Sequence, residues 1–409
     1  MRRVTDLDGE SVSDETTKVP KNSLLSAAKV AKNDEFYTQW VDIEREINAY
    51  LEYDPDVFRD KVVLLPCDDP EWSNFTKFFA LHFVDFGLRK LISTSYAADS
   101  KPVDIAYQPT LFESDAPQYD ATKTRSDGKL FVLESRDING DAVVNIDDLQ
   151  WSYLSGSGDF RSAEVTALRD EADIVITNPP FSLFRPFMNW LFESDCQFSV
   201  IGNMNSVTYN DIFPHIKTNR LWYGASISSG DREFEVPSHY PLEAAGSRVD
   251  EHGNKYIRVK GVRWFTNIDH GRRHEPLQLM TAADNLRYNK KLIKALAGGD
   301  AYQRYDTYDA IEVPSTDSIP SDYEGVMGVP ITFLDKYNPD QFEILFNTED
   351  MAQTEAHGVE PLGDKRVADY YAAGGTAANS PGRRKLFLYH PRPYVPYKRI
   401  AIRHKRENA

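Results

Sequence analysis

Apolar residues along the chain alternate between short runs and longer stretches with a helical repeat. The short runs predict buried β-strands and are VVLL (62–65), KLIST (90–94), DIVIT (173–177) and FSVIG (198–202). The helical repeats are VDIEREINAYL (41–51), EWSNFTKFFALHFVDFG (71–87) and FRPFMNWLFE (184–193). Strands that alternate with helices in this way indicate an α/β fold whose central sheet is parallel.

The predicted helices carry further local signals. Asp69 before Pro70 fits an N-cap followed by proline at the first helical position, and Gly87 fits the C-terminal stop of the same helix. The predicted apolar face of the preceding helix consists of Val41, Ile43, Ile47 and Leu51.

The same patterns divide the chain into three regions. Residues 1–28 are polar and lack periodicity, which predicts a flexible N-terminal arm. In residues 29–270 predicted strands alternate with predicted helices. Residues 97–150 interrupt this alternation and predict an inserted β element with a hairpin turn at Asn139-Gly140. The stretch 256–267 alternates like two strand segments. Beyond residue 270 strands and helices no longer alternate, so residues 271–409 are expected to form a separate C-terminal lobe.

The cysteine content and the lengths of the apolar runs indicate in which compartment the protein works. The 409 residues include two cysteines, Cys67 and Cys196, which cannot form a disulfide framework, and no Cys and His residues have metal-ligand spacing. This usage favours a reducing compartment, and we expect the cytoplasm. The N-terminus lacks the apolar core of a signal peptide, and no apolar run reaches the roughly 18 residues of a membrane span. We expect a soluble monomer without a bound metal.

The formal charge of −16 argues against a polyanionic partner, but one segment is an exception. Between Tyr370 and Arg406 there are nine Lys or Arg residues and no Asp or Glu, with aromatic residues interleaved. Such a segment can follow a phosphate backbone while its rings pack or stack. A pair of strands with solvated cations and buried aromatics is an equally good interpretation.

The strongest local signal is the tetrapeptide Asn178-Pro179-Pro180-Phe181, which follows the apolar run DIVIT. A strand there would deliver the four residues to the carboxyl edge of the sheet, where open α/β folds bind their ligands. A plain turn made of good turn formers is the alternative. It does not account for the aromatic residue and the buried strand together.

These residue types suit methylation of a planar amine. The lone pair of adenine's exocyclic nitrogen is delocalised into the ring and must be localised before it attacks a sulfonium methyl group. The side-chain carbonyl of Asn178 and the backbone carbonyl of Pro179 can each accept one amine proton as charge builds on the nitrogen. The prolines restrict the loop, and Phe181 can stack on a base that has left the duplex.

The cofactor side is less standard. Many methyltransferases have a glycine-rich loop after the first strand, and here that position reads Pro66-Cys67-Asp68-Asp69-Pro70. S-adenosylmethionine carries a positive amine and sulfonium, so a carboxylate is chemically suitable, and Asp68 is the candidate. In GSGDFRS (156–162), Asp159 is a candidate for the cofactor's adenine amine, with Phe160 beside the ring. A capping or solvated role for each acid stays equally possible.

Six blocks of sequence together resemble the EcoRI-type adenine-specific DNA methyltransferases from about residue 33 to near the end. The blocks are NDEFYTQW (33–40), LPCDDPEWSNF (65–75), GDFRS (158–162), NPPF (178–181), VKGVRWFTN (259–267) and VMGVPITFLDKYNP (326–339). Residues 97–150 and the tail TAANSPGRRK show the least similarity.

The resemblance implies a Rossmann-like methyltransferase sheet with helices on both faces, within a catalytic domain spanning 29–270, and a C-terminal target-recognition region spanning 271–409. It implies S-adenosylmethionine as cofactor and double-stranded DNA as partner, in a host-protection setting that can include a cognate restriction endonuclease. It places Asp34, Phe36, Tyr37 and Thr38 near the methionine end of the cofactor. The full set of expected cofactor residues is Asp34, Phe36, Tyr37, Thr38, Pro66, Cys67, Asp68, Asn74, Asp159, Phe160 and Asn178. The cations expected to meet DNA are Arg383, Arg384, Lys385, Lys398 and Arg399.

Two other functions stay open at this point. A methyltransferase acting on a guanine amine of RNA or on a protein glutamine would use similar chemistry, but those families usually have a glycine-rich first loop and often Tyr at the position of Phe181. A catalytically silent DNA-binding relative is the other alternative, against which the intact loop from Asn178 to Phe181 counts.

Overall fold

The computed structural model describes residues 38–68, 73–97, 117–134, 151–227, 231–236, 242, 246–376 and 379–405. The predicted arm 1–28 lies outside these residues. So do Asp34, Phe36, Tyr37, Asp69, Pro70 and the predicted turn at Asn139-Gly140. Within the described part, no helix is both long and apolar enough to cross a bilayer.

The fifteen β-strands of the described residues form three sheets. They are β1 (Val62–Leu65), β2 (Lys90–Thr94), β3 (Lys129–Glu134), β4 (Trp151–Tyr153), β5 (Ile174–Thr177), β6 (Gln197–Asn203), β7 (Trp222–Tyr223), β8 (Asp231–Val236), β9 (Arg248–Val249), β10 (Lys255–Lys260), β11 (Val262–Thr266), β12 (Ala310–Glu312), β13 (Val326–Pro330), β14 (Phe342–Asn347) and β15 (Arg399–His404).

Ten α-helices accompany these strands in the same part of the chain. They are α1 (Trp40–Tyr53), α2 (Asn74–Leu81), α3 (Lys123–Ser126), α4 (Ala163–Glu171), α5 (Phe184–Phe192), α6 (Phe213–Lys217), α7 (Ala282–Tyr288), α8 (Lys290–Leu296), α9 (Met351–Ala356) and α10 (Gly363–Ala372). Five short 3-10 helices, Phe181–Leu183, Met204–Thr208, Gly271–His274, Thr316–Ser318 and Ile331–Lys336, complete the helical structure.

The largest sheet has eight strands in the order β4-β3-β2-β1-β5-β6-β11-β7. Its four central strands, β2, β1, β5 and β6, are parallel to one another, as the alternation of strands and helices predicts. Strands β3 and β4 extend one side antiparallel, and β11 and β7 extend the other. The region 97–150 therefore contributes one described strand, β3, which lies between β2 and β4 in the main sheet.

Both faces of the main sheet are covered, which explains why its central strands read as continuous apolar runs. Alternate residues of β1 point to opposite faces: Val63 and Leu65 join a cluster with α1 and α2, and Val62 and Leu64 join a second cluster with α5 and α6. The second cluster also includes residues of β13, β14 and β15. The C-terminal region thus packs directly on one face of the main sheet.

The ends of α2 differ from their prediction. The N-cap is Ser73, whose hydroxyl accepts from the backbone N–H of Phe75 (3.1 Å), so the proposal of Asp69 as the cap is wrong. The helix ends at Leu81, and a series of turns separates it from Gly87, whose φ of +65° suits glycine. The stop at Gly87 is therefore also wrong, and this glycine instead leads the chain into β2.

Two smaller sheets complete the fold. Strands β8, β10 and β9 form a three-stranded antiparallel sheet, and β12, β13, β15 and β14 form a four-stranded mixed sheet. The stretch 256–267 does contain two strand segments, as predicted, but they belong to different sheets. Strand β10 pairs in the small sheet, whereas β11 crosses into the main sheet beside β6.

Candidate active site

The predicted loops converge at the carboxyl edge of the parallel strands β1, β2 and β5. The backbone N–H of Asp68, after β1, donates to the carbonyl of Thr94 at the end of β2 (3.0 Å). The hydroxyl of Thr177, at the end of β5, donates to the Asp68 carboxylate (2.6 Å). Because ligands of open α/β sheets bind at this edge, it is the candidate active site.

The loop after β5 has a defined conformation. Pro179 is buried and Asn178 is half-buried at the strand end. The carbonyl of Pro180 accepts from the N–H of Leu183 (2.8 Å), which starts the short 3-10 helix leading into α5. Because proline restricts φ, the two prolines fix the direction in which the loop leaves the sheet.

The Phe181 ring is half-buried and lies against the small three-stranded sheet. Its centroid is 6.2 Å from that of Phe234 on β8, with the two rings nearly perpendicular at 89°. An edge-to-face pair of this kind adds a modest stabilisation beyond apolar burial. The small sheet therefore supports one side of the loop after β5, a contact that the sequence did not predict.

Asp68 is buried, with 6% of its surface exposed. One carboxylate oxygen accepts from the hydroxyl of Ser73 (2.6 Å) and the other from that of Thr177 (2.6 Å). The sequence predicts this carboxylate beside a cofactor amine, whereas the structure directs both oxygens to hydroxyl groups of the protein. Its neighbours Pro66 and Cys67 are buried and half-buried, respectively.

Thr38 and Asn74 adjoin this edge from the side of α1. The side-chain amide of Asn74, at the start of α2, donates to the backbone carbonyl of Thr38 (2.8 Å). The Thr38 hydroxyl and the Gln39 amide nitrogen are buried and have no hydrogen-bond partner within the described part of the chain. Buried polar atoms normally find a partner, so these two groups fit a polar ligand at this position.

The loop 156–159 packs on the end of β2. Gly158 has a φ of +78°, and a Cβ built on it would lie 2.1 Å from the backbone oxygen of Ser95, so only glycine fits. The next residue, Asp159, accepts a bidentate pair from Arg161 (2.9 and 2.6 Å), which lowers the pKa of Asp159. Asp159 is half-buried.

Phe160 is placed differently from its prediction. Its ring is 4% exposed and lies 5.0 Å from Phe187 and 5.6 Å from Trp190, both at T-shaped angles. The ring is therefore a core residue beneath the loop. Its burial leaves little of its surface for a cofactor ring.

Glu46 is a buried residue of α1 that the sequence did not single out. It has no exposed surface, and its carboxylate accepts from the N–H groups of Ala225 (3.0 Å) and Ser226 (2.8 Å) and from the hydroxyl of Tyr50 (2.7 Å). These bonds tie α1 to the chain leading into β8. The signal was present in the sequence, because Glu46 shares the helical spacing of Ile43 and Tyr50.

The observed buried face of α1 consists of Ile43, Glu46, Ile47 and Tyr50. Two members of the predicted face are placed differently. Val41 is 44% exposed, and Leu51 is half-buried. Including Val41 in the buried face was therefore wrong, because the helix turns its polar Glu46 inward, where donors from another part of the chain satisfy it.

Lys385 and Arg399 of the predicted DNA surface are internal. Lys385 is 7% exposed, donates to the carbonyl of Thr348 (3.1 Å) and lies 2.7 Å from a carboxylate oxygen of Glu349. The Arg399 side chain is 12% exposed and pairs with the buried Glu312 (2.5 Å). A direct phosphate contact by either cation does not fit this geometry, because Lys385 is buried beside Glu349 and Arg399 is paired with the buried carboxylate of Glu312.

The other three cations of the predicted surface are half-buried. Arg384 donates to the carbonyl of Val359 (2.7 Å) and to Glu355 (2.9 Å). Lys398 donates to the hydroxyl of Thr208 (3.1 Å), and burial lowers the pKa of Lys398. Arg383 is also only partly accessible. The basic segment between Tyr370 and Arg406 therefore exposes fewer cations than its sequence suggests.

The residues that the structure describes contain no group of three or more His, Cys, Asp or Glu side chains able to hold a metal ion. The candidate site instead offers amide, hydroxyl, carboxylate and backbone carbonyl groups around one sheet edge. Such groups can orient an organic cofactor and a planar amine.

Comparison with known proteins identifies the family. The family described as "Adenine-specific methyltransferase EcoRI" matches residues 24–405. The chain is 41% identical over 324 residues to the type II methyltransferase M.EcoRI of Escherichia coli, covering 79% of this chain and 89% of that protein. It is 36% identical over 350 residues to the type II methyltransferase M.MpnI of Mycoplasma pneumoniae, covering 84% and 93%. No solved structure matches the chain. The chain therefore belongs to the EcoRI family of adenine-specific methyltransferases.

Proposed function

We propose that this adenine-specific DNA methyltransferase transfers the methyl group of S-adenosylmethionine to the exocyclic N6 amine of an adenine that has left the duplex. The observation that carries the proposal is the position of Asn178-Pro179-Pro180-Phe181 at the end of β5. There the loop is joined through Thr177 to the loop that follows β1. In this arrangement the base-side and cofactor-side groups share one sheet edge.

Asn178 and Pro179 supply the polar contacts to the base. The side-chain carbonyl of Asn178 and the backbone carbonyl of Pro179 each accept one proton of the amine, and these bonds strengthen as positive charge builds on the nitrogen. Phe181, held against Phe234, stacks on the extruded base. A strong general base is not needed, because the methylated amine is acidic enough to lose its proton to water.

The cofactor side is formed by four groups. Thr38 offers its buried hydroxyl, Asn74 and Cys67 line the edge beside it, and Asp159 offers a carboxylate from the loop on β2. The Asp159 carboxylate stays ionised because Arg161 lowers its pKa, so it can accept a hydrogen bond from an adenine amine. S-adenosylmethionine supplies the electrophilic methyl group. The protein's main contribution is alignment of that group with the base.

The proposed contact surface for DNA is formed by exposed side chains around the segment that follows β6. Tyr209 and Tyr397 are 40% and 67% exposed, and the Tyr397 hydroxyl lies 3.1 Å from Asn205. Arg185, on the helix after the catalytic loop, lies over Tyr209 with 58% of its side chain exposed, and its guanidinium also pairs with the Asp211 carboxylate (2.5 Å). Exposed rings and cations beside the loop can meet bases and phosphates together, and Lys398 adds a further charge.

The names of the relatives support a proposal for the wider setting. The matched proteins are named type II methyltransferases, and we place this chain in a restriction-modification or host-protection system with a cognate endonuclease as partner. The parallel centre of the main sheet supports a Rossmann-like methyltransferase domain over 29–270. The remaining residues, 271–409, serve DNA recognition, and the chain acts as a cytoplasmic monomer.

Methyl transfer from labelled S-adenosylmethionine to DNA, RNA and protein acceptors tests the acceptor class. We expect label in DNA alone and N6-methyladenine in the nucleoside digest by mass spectrometry. Asn178→Ala is expected to lose most of its turnover while retaining DNA binding, because only the amine contacts are removed. Label in RNA or protein but not in DNA would refute the proposed function, and unchanged turnover of the variant would refute the role of Asn178.

A further inference from the structure

The Asp68 carboxylate lies where four elements of the site meet. Its two oxygens accept from Thr177 at the end of β5 and from Ser73, the N-cap of α2, each at 2.6 Å. Its backbone N–H donates to the carbonyl of Thr94 (3.0 Å), and its carbonyl accepts from the hydroxyl of Ser93 (2.5 Å), both in β2. One buried acidic residue thus joins the ends of β1, β2 and β5 to the start of α2.

This junction lies between the two halves of the proposed reaction site. Thr177 directly precedes Asn178, whose side chain is proposed to hold the base. On the other side, Ser73 directly precedes Asn74, whose amide holds the carbonyl of Thr38 (2.8 Å). A continuous path of covalent and hydrogen bonds therefore leads from the base side through Asp68 to the cofactor side.

We propose that Asp68 is a positioning residue that fixes the distance between the base-side loop and the cofactor-side loop, and that it acts through Thr177. This inference rests on the proposed function, because it assumes that the two loops hold the two reactants. In-line transfer depends on alignment of nitrogen, methyl carbon and sulfur, so a shift between the loops slows transfer more than it weakens the binding of either reactant.

The chemistry of Asp68 supports this role over direct contact with a cofactor amine. An ionised carboxylate is an acceptor only, and both hydroxyl groups donate to it at the short distances typical of charge-assisted bonds. Removing the Thr177 hydroxyl breaks the link at a residue that has no proposed contact with cofactor or base. The two roles of Asp68 therefore predict different behaviour of a Thr177 variant.

Four single variants separate the two roles. Thr177→Val removes the donor with little change in volume, Thr177→Ser keeps a hydroxyl, and Asp68→Asn replaces one carboxylate oxygen by a donor. Thr266→Val is the matched control, because Thr266 is a fully buried sheet threonine whose hydroxyl donates to the carbonyl of Phe198 (2.7 Å) away from this junction. Single-turnover methyl transfer to DNA and calorimetric binding of S-adenosylmethionine are measured for each variant.

We expect Thr177→Val to slow single-turnover transfer by about 10- to 100-fold, the range expected for a displacement near 1 Å, with the cofactor Kd within about threefold of the parent. Thr177→Ser should recover most of the rate, and Thr266→Val should transfer like the parent. The double variant Asp68→Asn, Thr177→Val should be no slower than the slower single variant, because both changes break the same link.

Three results would overturn the inference. The first is a Thr177→Val transfer rate equal to that of Thr266→Val. The second is an Asp68→Asn variant whose main defect is a cofactor Kd raised tenfold or more, which would make Asp68 a cofactor ligand. The third is full additivity in the double variant. A parent protein that transferred no methyl group to DNA would instead overturn the proposed function, so the two failures are distinguishable.

Discussion

Replacing Arg399 by methionine separates a structural role of this cation from a role in DNA binding. Arg399 makes three contacts to the Glu312 carboxylate, at 2.5, 3.1 and 3.1 Å, and it also donates to the carbonyl of Tyr397 (2.5 Å). The Tyr305 hydroxyl donates to the same carboxylate. Burial opposes the charge on Arg399, but the proximity of Glu312 outweighs it and raises the pKa of the guanidinium.

The expected cost follows from the charge that is left behind. The Glu312 side chain is 5% exposed, so Arg399→Met leaves a buried carboxylate without its counterion, and breaking such a pair typically costs about 3–5 kcal/mol. Urea unfolding monitored by tryptophan fluorescence measures this loss. The double variant Glu312→Leu, Arg399→Met removes both charges and should recover most of the lost free energy of unfolding.

DNA binding provides the second measurement. At temperatures where Arg399→Met stays folded, the slope of log Kobs against log salt should equal that of the parent. Lys398→Gln, in the adjacent residue, should reduce the slope by about 0.9, the value for one phosphate contact on B-DNA. A reduced slope for Arg399→Met with an unchanged free energy of unfolding would refute the assignment of Arg399 to the interior.

Three further predictions concern the site. Phe181→Ala should weaken retention of the extruded base by about 1–3 kcal/mol, seen as lower fluorescence of 2-aminopurine at the target position, whereas Phe181→Tyr should retain it. Glu46→Ala should lower the free energy of unfolding by at least about 1–3 kcal/mol, because the N–H donors of Ala225 and Ser226 lose their acceptor; an unchanged urea midpoint would contradict this. The hydrogen bonds from Arg161 lower the pKa of Asp159 below its ordinary value of 3.8. The stabilisation from this ion pair is therefore complete at pH values above 3.8, and it is lost as the pH falls through the lowered pKa of the folded protein. The melting temperatures of the parent and Asp159→Asn should therefore differ at pH 7 and converge in acid; a constant difference would exclude titration of Asp159.

The central strands could be predicted because strands covered on both faces consist of consecutive apolar residues, a pattern that is visible in the sequence. Strand β1 matches VVLL residue for residue, and β5 and β6 lie within about a residue of their predicted ends. The cap of α2 was missed because Asp69 and Ser73 are both good cap residues. Local sequence does not determine which of two such residues directly precedes the first helical turn.

Within the candidate site, the loop from Asn178 to Phe181 could be predicted because a strand end and a distinctive tetrapeptide are adjacent in the chain. The bond between Asp68 and Thr177 joins residues 109 positions apart, and no local pattern encodes it. The partner of Arg399 is 87 positions away, so the tail could not be divided into internal and exposed cations from its own composition. Long-range pairing accounts for most of the difference between expectation and structure.

A crystal structure of the protein with S-adenosylhomocysteine and a duplex that carries its methylation site is the most direct measurement. We expect the methionine part of the cofactor product beside Thr38 and Asn74, and the target adenine outside the helix with N6 within hydrogen-bond distance of Asn178 and the Pro179 carbonyl. An adenine stacked inside the duplex, or a cofactor product bound away from the carboxyl ends of β1, β2 and β5, would contradict this arrangement of the active site.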